Sequence, residues 1–517
     1  MRIFARRGWS LLVPDGGPWY TAPTHRFDPA GAGARCPGLP CTGRRIRIDE
    51  RVPMNAPVPA NDPHALRPVA DIDGDSLAGW GRIGVPGREV LGERLDRITE
   101  GATLSRGLGR SYGDSSLPAP GRSEVVGTTL ADRILGFDTD TGLLRAEAGL
   151  SLVEMNRIFL RRGWFTPVTP GTQYVTLGGM VASDVHGKNH HVAGCVGEHI
   201  AELKIRVADG RVITCSPEVE TDLFDATIGG MGLTGHILEV ALRMDAIPSP
   251  WIHQTSYRVP NIDAYMDALK ASAEEFPMTV GWIDCISGGR NLGRGILNCG
   301  RWATPGEAPS RPPPVKGRIT MPSFFPGWML NALTMRAFNE LYYWKHLPKK
   351  KVGIVHPDTF FYPLDAILQW NRMYGRRGFT QYQCVLPNSA GRGAARRFLE
   401  LLTREGGASF LCVIKDCGPE GRGVLSFPRD GISIALDIPV RRNTQQLVDT
   451  LNAFVIDEGG RIYLTKDTFT RAEDFAKMDP RIERFQAIRK AWDPDLRIRS
   501  AQSVRMFGDP PLDETTA

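Results

Sequence analysis

The sequence predicts an α+β chain of two or three domains, and three observations lead to this prediction. The chain has 517 residues, which is too many for a single hydrophobic core. Three glycine-rich turns, each flanked by strand-like runs, lie within about 130 residues of one another. The composition then changes after Pro248, because residues 250–445 combine strand-like alternation, helical segments and most of the Trp and Tyr.

The composition excludes several classes of protein. Apolar residues make up 42% and charged residues 23%, which is ordinary for a soluble globular protein. The net charge of +6 is modest for this length and does not indicate a nucleic-acid partner. No apolar run approaches the roughly 20 residues that span a bilayer, and the N-terminus lacks a signal-peptide core. The nine cysteines contain no CxxC pair, which indicates a reducing compartment and a cytoplasmic location.

Residues 1–75 are predicted to be a disordered N-terminal extension. They are rich in Arg, Pro and Gly and show neither helical nor strand-like periodicity. Met54 is an alternative start of the chain, and ordered structure is expected from Leu77–Trp80 onward.

The first glycine-rich turn lies in Ala102–Asp114 (ATLSRGLGRSYGD), where a short strand is expected to enter the turn. The glycine spacing is similar to a dinucleotide fingerprint but misses its third glycine, and no clear βαβ unit surrounds it. Ile134–Ala148 predicts two strands around an Asp-Thr-Gly turn. Leu152–Gly163 predicts a helix that ends at a glycine.

The second turn lies in Thr169–His191, TPGTQYVTLGGMVASDVHGKNHH. The Gly178–Gly179 pair lets the backbone approach a ligand closely, and amides without another acceptor bind anions well. The polar and basic side chains that follow suit a phosphate-bearing cofactor. The alternative is a tight structural turn followed by a solvated polar loop.

The third turn follows Ile228 and leads into a strand. Before it, Ile200–Cys215 predicts a hairpin with Asp209–Gly210 at its turn, and Asp222–Thr227 predicts a short helix. Three such turns together favour a backbone that wraps around one extended ligand.

The later part of the chain contains a helix predicted at Ala390–Glu405 and a Pro-rich loop at Thr304–Gly317. The basic run Lys345–Lys351 (KHLPKKK) predicts a solvated loop or a segment that meets a phosphate or an anionic membrane. Gly460–Asp467 predicts a strand that ends in polar residues, after which the chain is expected to return to the first domain.

The ordered motifs resemble those of FAD-linked oxidases of the vanillyl-alcohol-oxidase type. More narrowly, they resemble the flavoprotein oxidase subunits of decaprenylphosphoryl-ribose 2-epimerases. The matching motifs extend over roughly residues 77–505 and are SRGLGRSYGD (105–114), PGTQYVTLGG (170–179), DVHGKNHH (184–191), GGMGLTG (229–235), FFYPLDAILQWNRMYG (360–375), QYQCVLP (381–387), LSFP (425–428) and TKD (465–467).

This resemblance implies a two-part PCMH-type FAD-binding domain with an inserted α+β substrate domain built on an antiparallel sheet. The main FAD-binding part would be 76–247, the substrate-binding domain 248–454, and residues 455–517 would return to the FAD-binding domain. The implied flavin contacts are Ser105, Arg106, Gly107, Leu108, Gly109, Arg110, Ser111, Tyr112, Gly113, Asp114, Ser115, Gly171, Thr176, Leu177, Gly178, Gly179, Ser183, Asp184, Val185, His186, Ile237 and Tyr463.

The resemblance also implies that the FAD is held non-covalently. Many relatives attach their flavin through a histidine in an R-x-x-G-H-S turn, and Arg110 stands at that position here. An arginine cannot form this link.

The implied reaction is hydride removal from a secondary alcohol of a sugar to flavin N5. It needs a positioned hydroxyl, a proton acceptor, and positive charge near the flavin. The catalytic candidates are Lys466, Tyr112 and His186. The substrate candidates are Lys188, Tyr362, Gln381, Gln383, Lys415 and Lys466. Without the resemblance, each would be taken as an ordinary surface, strand or core residue.

The substrate implied by the resemblance is a polyprenylphosphoryl-ribose, oxidised at its 2-hydroxyl to the 2-keto sugar. A separate NAD(P)H-dependent short-chain reductase would complete the epimerisation, and peripheral contact at the inner membrane face is expected. Mycobacterial members carry Cys and Asn where this chain has Ala435 and Ser433, so this chain departs from their pattern at two positions.

Three alternatives remain open from the sequence. The first is an aldonolactone or alditol oxidase that acts on a soluble sugar. The second is a metal-dependent hydrolase using His186, His190 and His191, although Gly187 disfavours the helix it would need and no carboxylate has a zinc-site spacing. No metal is expected. The third is a non-catalytic flavin or sugar-phosphate binding protein.

Overall fold

The computed structural model describes residues 76–121, 124–311, 313–314, 317–322, 331–407 and 409–511. The extension predicted at residues 1–75 and the alternative start at Met54 lie outside these residues.

The strands of the described residues range from two to nine residues in length. They are β1 (Ser76–Ala78), β2 (Gly84–Pro86), β3 (Arg88–Leu91), β4 (Ser105–Arg106), β5 (Glu124–Gly127), β6 (Ile134–Asp138), β7 (Leu143–Glu147), β8 (Trp164–Phe165), β9 (Ile200–Arg206), β10 (Val212–Cys215), β11 (His236–Arg243), β12 (Asp245–Ala246), β13 (Ile252–Val259), β14 (Met278–Ile283), β15 (Gly295–Trp302), β16 (Ile319–Thr320), β17 (Lys350–Val355), β18 (Ile367–Leu368), β19 (Phe379–Pro387), β20 (Cys412–Cys417), β21 (Gly431–Pro439) and β22 (Arg461–Ile462).

The α-helices of the same residues are α1 (Leu95–Ile98), α2 (Leu152–Phe159), α3 (Leu177–Ala182), α4 (His190–Ala193), α5 (Thr221–Thr227), α6 (Ile262–Glu275), α7 (Ala332–Lys345), α8 (Pro357–Phe361), α9 (Ala394–Arg404), α10 (Thr444–Asp457), α11 (Ala472–Met478), α12 (Ile482–Trp492) and α13 (Ala501–Phe507).

An antiparallel five-stranded sheet has the order β10–β9–β11–β7–β6 and contains both predicted hairpins. In β9, Leu203 and Ile205 are fully buried, whereas Lys204 and Arg206 on the other face are partly exposed. This alternation fixes which face packs on the core. At the predicted hairpin turn, Gly210 has a φ of +90°, which glycine adopts without strain.

A parallel three-stranded sheet, β3–β5–β4, leads the chain into the first glycine-rich turn at the end of β4. The helix predicted at Leu152–Gly163 is α2 followed by one 3-10 turn. The Ser151 hydroxyl caps α2 by accepting from the Glu154 amide, and Gly163 ends the 3-10 turn with a φ of 81°.

An antiparallel eight-stranded sheet has the order β17–β13–β15–β14–β20–β21–β19–β22. Its strands β19 and β21 pair over nine residues, and all but Pro439 are buried. One face packs against α6, α9 and α10 through Leu269, Phe398 and Leu451, which share one core. Because side chains alternate along a strand, the residues between the core positions of β19 and β20 point to the opposite face. That face forms a wall of the cavity described below.

The C-terminal segment contacts the eight-stranded sheet and the third glycine-rich turn. Strand β22 pairs with β19, and the Arg489 guanidinium donates to the carbonyl of Leu233 in the third glycine-rich turn. The predicted strand at Gly460–Asp467 was wrong beyond Ile462, because the chain turns where the Lys466 amide donates to the Tyr463 carbonyl (2.9 Å). The domain boundaries at residues 247 and 454 stay a prediction.

The basic run Lys345–Lys351 joins two elements instead of forming a free loop. Lys345 is the last residue of α7, while Lys350 and Lys351 begin the edge strand β17. These lysines are exposed, as expected for solvated charges, and lysines on an edge strand disfavour pairing with another chain. The Pro-rich segment Thr304–Gly317 has no helix or strand in its described residues, as predicted.

Two further features concern the part of the chain that the structure describes. Its seven cysteines are buried thiols without a disulfide. None of its helices combines the length and the apolar composition that crossing a bilayer requires.

Arg505 joins α13 to two motifs, which makes it a test of how the C-terminal segment stabilises the fold. Its guanidinium lies 2.8 Å from Asp114 Oδ1 and 2.8 Å from Asp467 Oδ2. Arg505→Met leaves both carboxylates without their cation, and we expect urea denaturation to record a loss of about 2 kcal/mol. The control Arg497→Met, in an exposed pair with Asp495, should cost less than about 0.5 kcal/mol. Equal losses in the two variants would contradict this role.

Candidate functional site

A cavity of about 300 Å³ lies where the three glycine-rich turns meet the eight-stranded sheet. Residues 364–370, between α8 and β19, close another part of its wall. The three turns therefore surround one cavity, and its use as a ligand site stays a prediction. The predicted flavin contacts that line the cavity are Ser105, Arg106, Gly107, Leu108, Gly109, Arg110, Ser111, Tyr112, Ser115, Gly171, Thr176, Gly178, Gly179, Ser183, Val185, His186, Ile237 and Tyr463.

The first turn presents unused backbone donors to the cavity. The amides of Gly107, Leu108, Gly109 and Ser111 have no acceptor within the described part of the chain. A side chain at residue 107 would clash, because a Cβ there would lie 2.2 Å from the Thr176 hydroxyl. Successive free amides of this kind bind phosphate oxygens, so this turn fits a pyrophosphate.

A fully buried guanidinium holds the first turn in place. Arg106 donates to the carbonyls of Ala78 (2.7 Å) and Ser116 (3.1 Å), and it lies 3.8 Å from the Glu89 carboxylate. Burial raises the pKa of Glu89 to about 7, although the nearby guanidinium of Arg106 opposes the shift. The strand end and the turn are thus fixed by the interactions of one side chain.

The second turn differs from its prediction because its glycine amides already have acceptors. The Gly178 amide donates to the Ala148 carbonyl (2.8 Å), and the Gly179 amide donates to the Thr176 hydroxyl (3.2 Å). These amides are therefore occupied, and the expectation that they form a free anion cradle was wrong. A Cβ at Gly178 would lie 2.8 Å from the Ala148 side chain, so glycine permits close packing of α3 beside the cavity.

The third turn depends on left-handed backbone at several positions. Gly229, Met231 and Gly232 have φ values of 74°, 54° and 79°. Met231 and Gly232 line the cavity together with Gly235, whose φ is +156°. Strand β11 begins directly afterwards and contributes Ile237 to the wall.

Polar side chains gather on the wall formed by β19, β20 and the segment after β22. The predicted substrate residues Gln381, Gln383, Lys415 and Lys466 all line this wall. The Lys466 Nζ atom lies 4.0 Å from the centre of the Tyr112 ring. The candidates Lys466, Tyr112 and His186 are thus brought together at one cavity.

His186 is held in one neutral form. The Gln383 amide nitrogen lies 3.0 Å from His186 Nε2 and 3.1 Å from the Ser433 hydroxyl. Burial and the nearby Lys415 ammonium hold the pKa of His186 well below its usual range, so Nε2 accepts from Gln383. The proton then lies on Nδ1, which is buried and has no partner in the described residues. A ligand acceptor would satisfy it.

Buried charge dominates the electrostatics of the wall. Burial lowers the pKa of Lys466 to about 7, and it also lowers the pKa of Lys415. Asp437 counters this charge from behind the wall: it accepts from Gln381 Nε2 (2.7 Å) and from the Tyr374 hydroxyl (2.9 Å). Burial raises the pKa of Asp437 to about 7, while these hydrogen bonds and Lys466 favour its charged form.

Four predicted flavin contacts do not line the cavity. Gly113 approaches the Asp467 carbonyl so closely that a Cβ would lie 1.7 Å from it, and Asp114 pairs with Arg505. Leu177 is core. Asp184 accepts from the Gly197 amide (2.9 Å) and from the Ser426 hydroxyl, joining the second turn to the LSFP motif. All four support the cavity from outside.

Two predicted substrate contacts also lie away from the wall. The Lys188 ammonium donates to the Phe361 carbonyl (3.0 Å), and its burial lowers its pKa to about 7. The Tyr362 hydroxyl bonds to Thr169 (2.5 Å) and accepts from Asn156 (3.1 Å) within the core. The prediction that Tyr362 lines the substrate pocket was wrong for this structure.

Several wall residues were not predicted from the sequence. Asp365 follows Tyr362 in the quoted FFYPLD motif and lines the cavity; burial raises its pKa to about 6. Trp80, Tyr174 and Trp370 add aromatic surface. Asp365, Tyr174 and Trp370 lie within motifs named above, whereas Trp80 lies outside them. Strand or turn periodicity does not distinguish an aromatic residue of the cavity wall from one of the core.

Arg110 occupies the position at which a histidine would carry a covalent flavin. Its guanidinium lies over the Trp80 ring (4.9 Å) and the Tyr174 ring (5.6 Å). Burial lowers its pKa to about 10, so it remains a cation at neutral pH. The residue supplies charge to the cavity wall and has no atom that forms the histidyl link.

The histidines proposed for a metal site each have another role. His190 Nδ1 accepts from the Gly418 amide (3.0 Å), and His191 Nε2 lies 3.1 Å from the Phe276 carbonyl. In the described residues no three His, Cys, Asp or Glu side chains are grouped so that they could hold a metal ion.

The chain is similar to known flavoproteins. The FAD binding domain family matches residues 99–216, which include two of the three glycine-rich turns. Decaprenylphosphoryl-β-D-ribose oxidase from Mycolicibacterium smegmatis is 34% identical over 449 residues, which cover 83% of this chain and 97% of that protein. An uncharacterized protein in the mprA 5′ region of Streptomyces coelicolor is 30% identical over 371 residues, 69% of this chain and 100% of that protein.

A more distant relative matches only part of the chain. A putative D-arabinono-1,4-lactone oxidase from Neurospora crassa is 32% identical over 157 residues, which are 30% of this chain and 27% of that protein. The near full-length match therefore carries the assignment. Three features of the cavity fit FAD: the free amides of the first turn, the cations of the wall, and the unpaired donor on His186. The chain belongs to the FAD-dependent oxidoreductase family that includes decaprenylphosphoryl-β-D-ribose oxidase.

Proposed function

We propose that this chain oxidises the 2-hydroxyl of a polyprenylphosphoryl-ribose to the 2-keto sugar, with non-covalent FAD as its cofactor. The observation that carries the proposal is the set of polar side chains at one cavity: the buried Gln381, Gln383 and His186, and the half-buried Lys415 and Lys466. A neutral apolar substrate would not satisfy these groups, whereas a sugar phosphate offers both hydroxyls and negative charge.

The cofactor would be held by the free amides of Gly107, Leu108, Gly109 and Ser111, which suit its pyrophosphate, and by the close backbone of the second and third turns. When bound, FAD supplies a two-electron acceptor for the hydride of an alcohol carbon. The residues of this chain then bind and orient the sugar and manage the hydroxyl proton.

Lys466 is proposed as the residue that takes the hydroxyl proton at Nζ. Its pKa of about 7 allows both the neutral amine and the ammonium near neutral pH, which is the condition for efficient proton transfer. Gln381 and Gln383 would orient the sugar, since each is fixed by a buried partner, Asp437 and His186. Lys415 supplies charge for the phosphate.

The product of this step is a ketone, so a different enzyme has to reduce it if the outcome is an epimer. We propose an NAD(P)H-dependent short-chain reductase as that partner. A cytoplasmic location at the inner membrane face would give both proteins access to a lipid-linked sugar.

The test of the substrate is bleaching of the oxidised flavin absorbance under anaerobic conditions. We expect polyprenylphosphoryl-ribose to bleach the flavin and yield a 2-keto sugar by mass spectrometry, with no epimer in the absence of a reductase. D-arabinono-1,4-lactone is the comparison substrate. Bleaching by the lactone alone would replace the proposal with an aldonolactone oxidase, and the absence of bleaching by either would remove both.

The non-covalent cofactor has its own test. Because Arg110 replaces the linking histidine, acid precipitation of the yellow protein should release all the flavin absorbance into the supernatant. Flavin that stays in the pellet would contradict the assignment of Arg110, and would require a link through another residue.

Lys466→Met tests the proton acceptor against a matched buried lysine. We expect kcat to fall by about a hundredfold or more. Lys188→Met removes another buried ammonium whose pKa is also lowered to about 7, but away from the wall, and should leave kcat within a few-fold of the parent. Similar losses of kcat in both variants would contradict the role of Lys466.

The variant Lys466→Met should also change the thermal stability, and the size of this change should depend on pH. The folded-state pKa of Lys466 lies below its ordinary value near 10.5, so the unfolded chain holds the extra proton between about pH 7 and 10.5. The cost of burying Lys466 is greatest below pH 7 and shrinks as pH rises. Lys466→Met should therefore raise the thermal midpoint of the FAD-free protein at pH 6, with a smaller gain at pH 9. A gain that grows with pH would overturn this account.

A further inference from the structure

Helix α7 has two apolar faces, although only one of them packs against the protein. Met335, Asn339 and Tyr343 lie four residues apart and are buried. With 3.6 residues per turn, Leu333, Ala337, Leu341 and Trp344 fall on the opposite side of the helix. They are exposed to solvent.

The buried side anchors the helix firmly. The Asn339 side chain donates to Asp284 Oδ1 (2.8 Å), and the Tyr343 ring contacts the Arg294 guanidinium (4.8 Å). Asn331 caps the N-terminus with a reciprocal bond to Thr334. The outward side is therefore presented by a fixed helix.

The exposure of the outward side is large. Leu333 is 78% exposed, Leu341 72%, Trp344 51%, and Leu347 just beyond the helix 71%. Single exposed apolar residues are ordinary, but four large ones in one short stretch form a patch that needs a partner. We call these four residues the α7 face.

Exposed cations flank the α7 face along the chain. Arg336 and Lys345 lie on α7, Lys349 follows it, and Lys350 and Lys351 begin β17. The carboxylate in this stretch, Glu340, is 2.5 Å from the Arg294 guanidinium and is thus compensated. A helix with Leu and Trp outward and lysines at its margin is typical of segments that lie in the interface of an anionic bilayer.

The helix also adjoins the wall of the cavity. The Phe338 ring lies 5.8 Å from the Phe410 ring, and the next residue, Leu411, lines the cavity. Ile367, in the segment between α8 and β19, also lines the cavity. It is 40% exposed, so the cavity reaches the protein surface there.

We propose that the α7 face and its flanking lysines bind the surface of an anionic lipid bilayer and so hold the cavity near lipid-linked substrate. The benefit of this surface, which is access to a lipid-linked substrate, rests on the proposed function. Membrane binding itself is measured without turnover. A second copy of this chain is disfavoured as the occupant, because two copies of this surface would bring five exposed cations against five.

The experiment is sedimentation of the purified holoenzyme with vesicles, without sugar substrate. We expect binding to phosphatidylglycerol-containing vesicles, weak binding to phosphatidylcholine alone, and loss of binding at high salt. The variant Leu341→Ser/Trp344→Ser and the variant Lys349→Gln/Lys350→Gln/Lys351→Gln should each weaken binding about tenfold.

Control variants test whether binding depends on this surface and not on the exposed apolar residues and lysines of the protein in general. Leu135→Ser/Val219→Ser removes two exposed apolar residues elsewhere, and Lys477→Gln/Lys490→Gln removes two exposed lysines elsewhere. Both should bind like the parent. Quenching of tryptophan fluorescence by brominated lipid should also decrease in Trp344→Phe, which tests insertion directly.

Three outcomes would overturn the inference: no binding to anionic vesicles, equal weakening by the controls, or a concentration-dependent dimer that the α7 variants abolish. All α7 variants should retain flavin bleaching by a water-soluble short-chain substrate. Loss of bleaching by every substrate with vesicle binding intact would instead contradict the proposed function and leave the membrane surface standing.

Discussion

The burial of several cations around one cavity is the constraint on which the rest of this structure depends. Arg106, Arg110, Lys415 and Lys466 line the described wall, against one carboxylate, Asp365. Each buried cation is costly unless it is paired, which is why burial lowers the pKa of Lys466 and Lys415. Such a wall is least stable when it faces only water and protein. Its positive charge is compensated when anionic ligands enter the cavity.

The fold brings this charge together from distant parts of the chain. The first turn supplies arginines and free amides, while alternation along β19 and β20 directs Gln381, Gln383 and Lys415 away from the helix-covered core. The turn after β22 adds Lys466, and the Gly113 backbone fits against the neighbouring Asp467 carbonyl. The cationic wall inside, and the apolar α7 face with its flanking lysines outside, suit the two ends of one amphiphilic, anionic substrate.

Much of this arrangement could be predicted from the sequence, and the exceptions have physical causes. Hairpins, the α2 helix and the three turns follow from alternation, caps and glycine, which act locally. The free amides of the second turn were predicted wrongly, because Ala148, about 30 residues earlier, accepts the Gly178 hydrogen bond. Tyr362 and Lys188 could not be separated from wall residues by sequence, since their partners are distant carbonyls and hydroxyls. Long-range partners decide whether a motif residue faces the ligand or supports it.

The most direct measurement is the thermal midpoint of the FAD-free protein with FAD and with riboflavin, both at the same concentration and at neutral pH. Both carry the same ring, but only FAD brings a pyrophosphate to the free amides and the buried cations. The charge-balance account predicts a large rise in midpoint with FAD and a small one with riboflavin. Equal stabilisation by the two ligands would show that the ring alone is bound, and would contradict the claim that the cavity is built around anionic ligands.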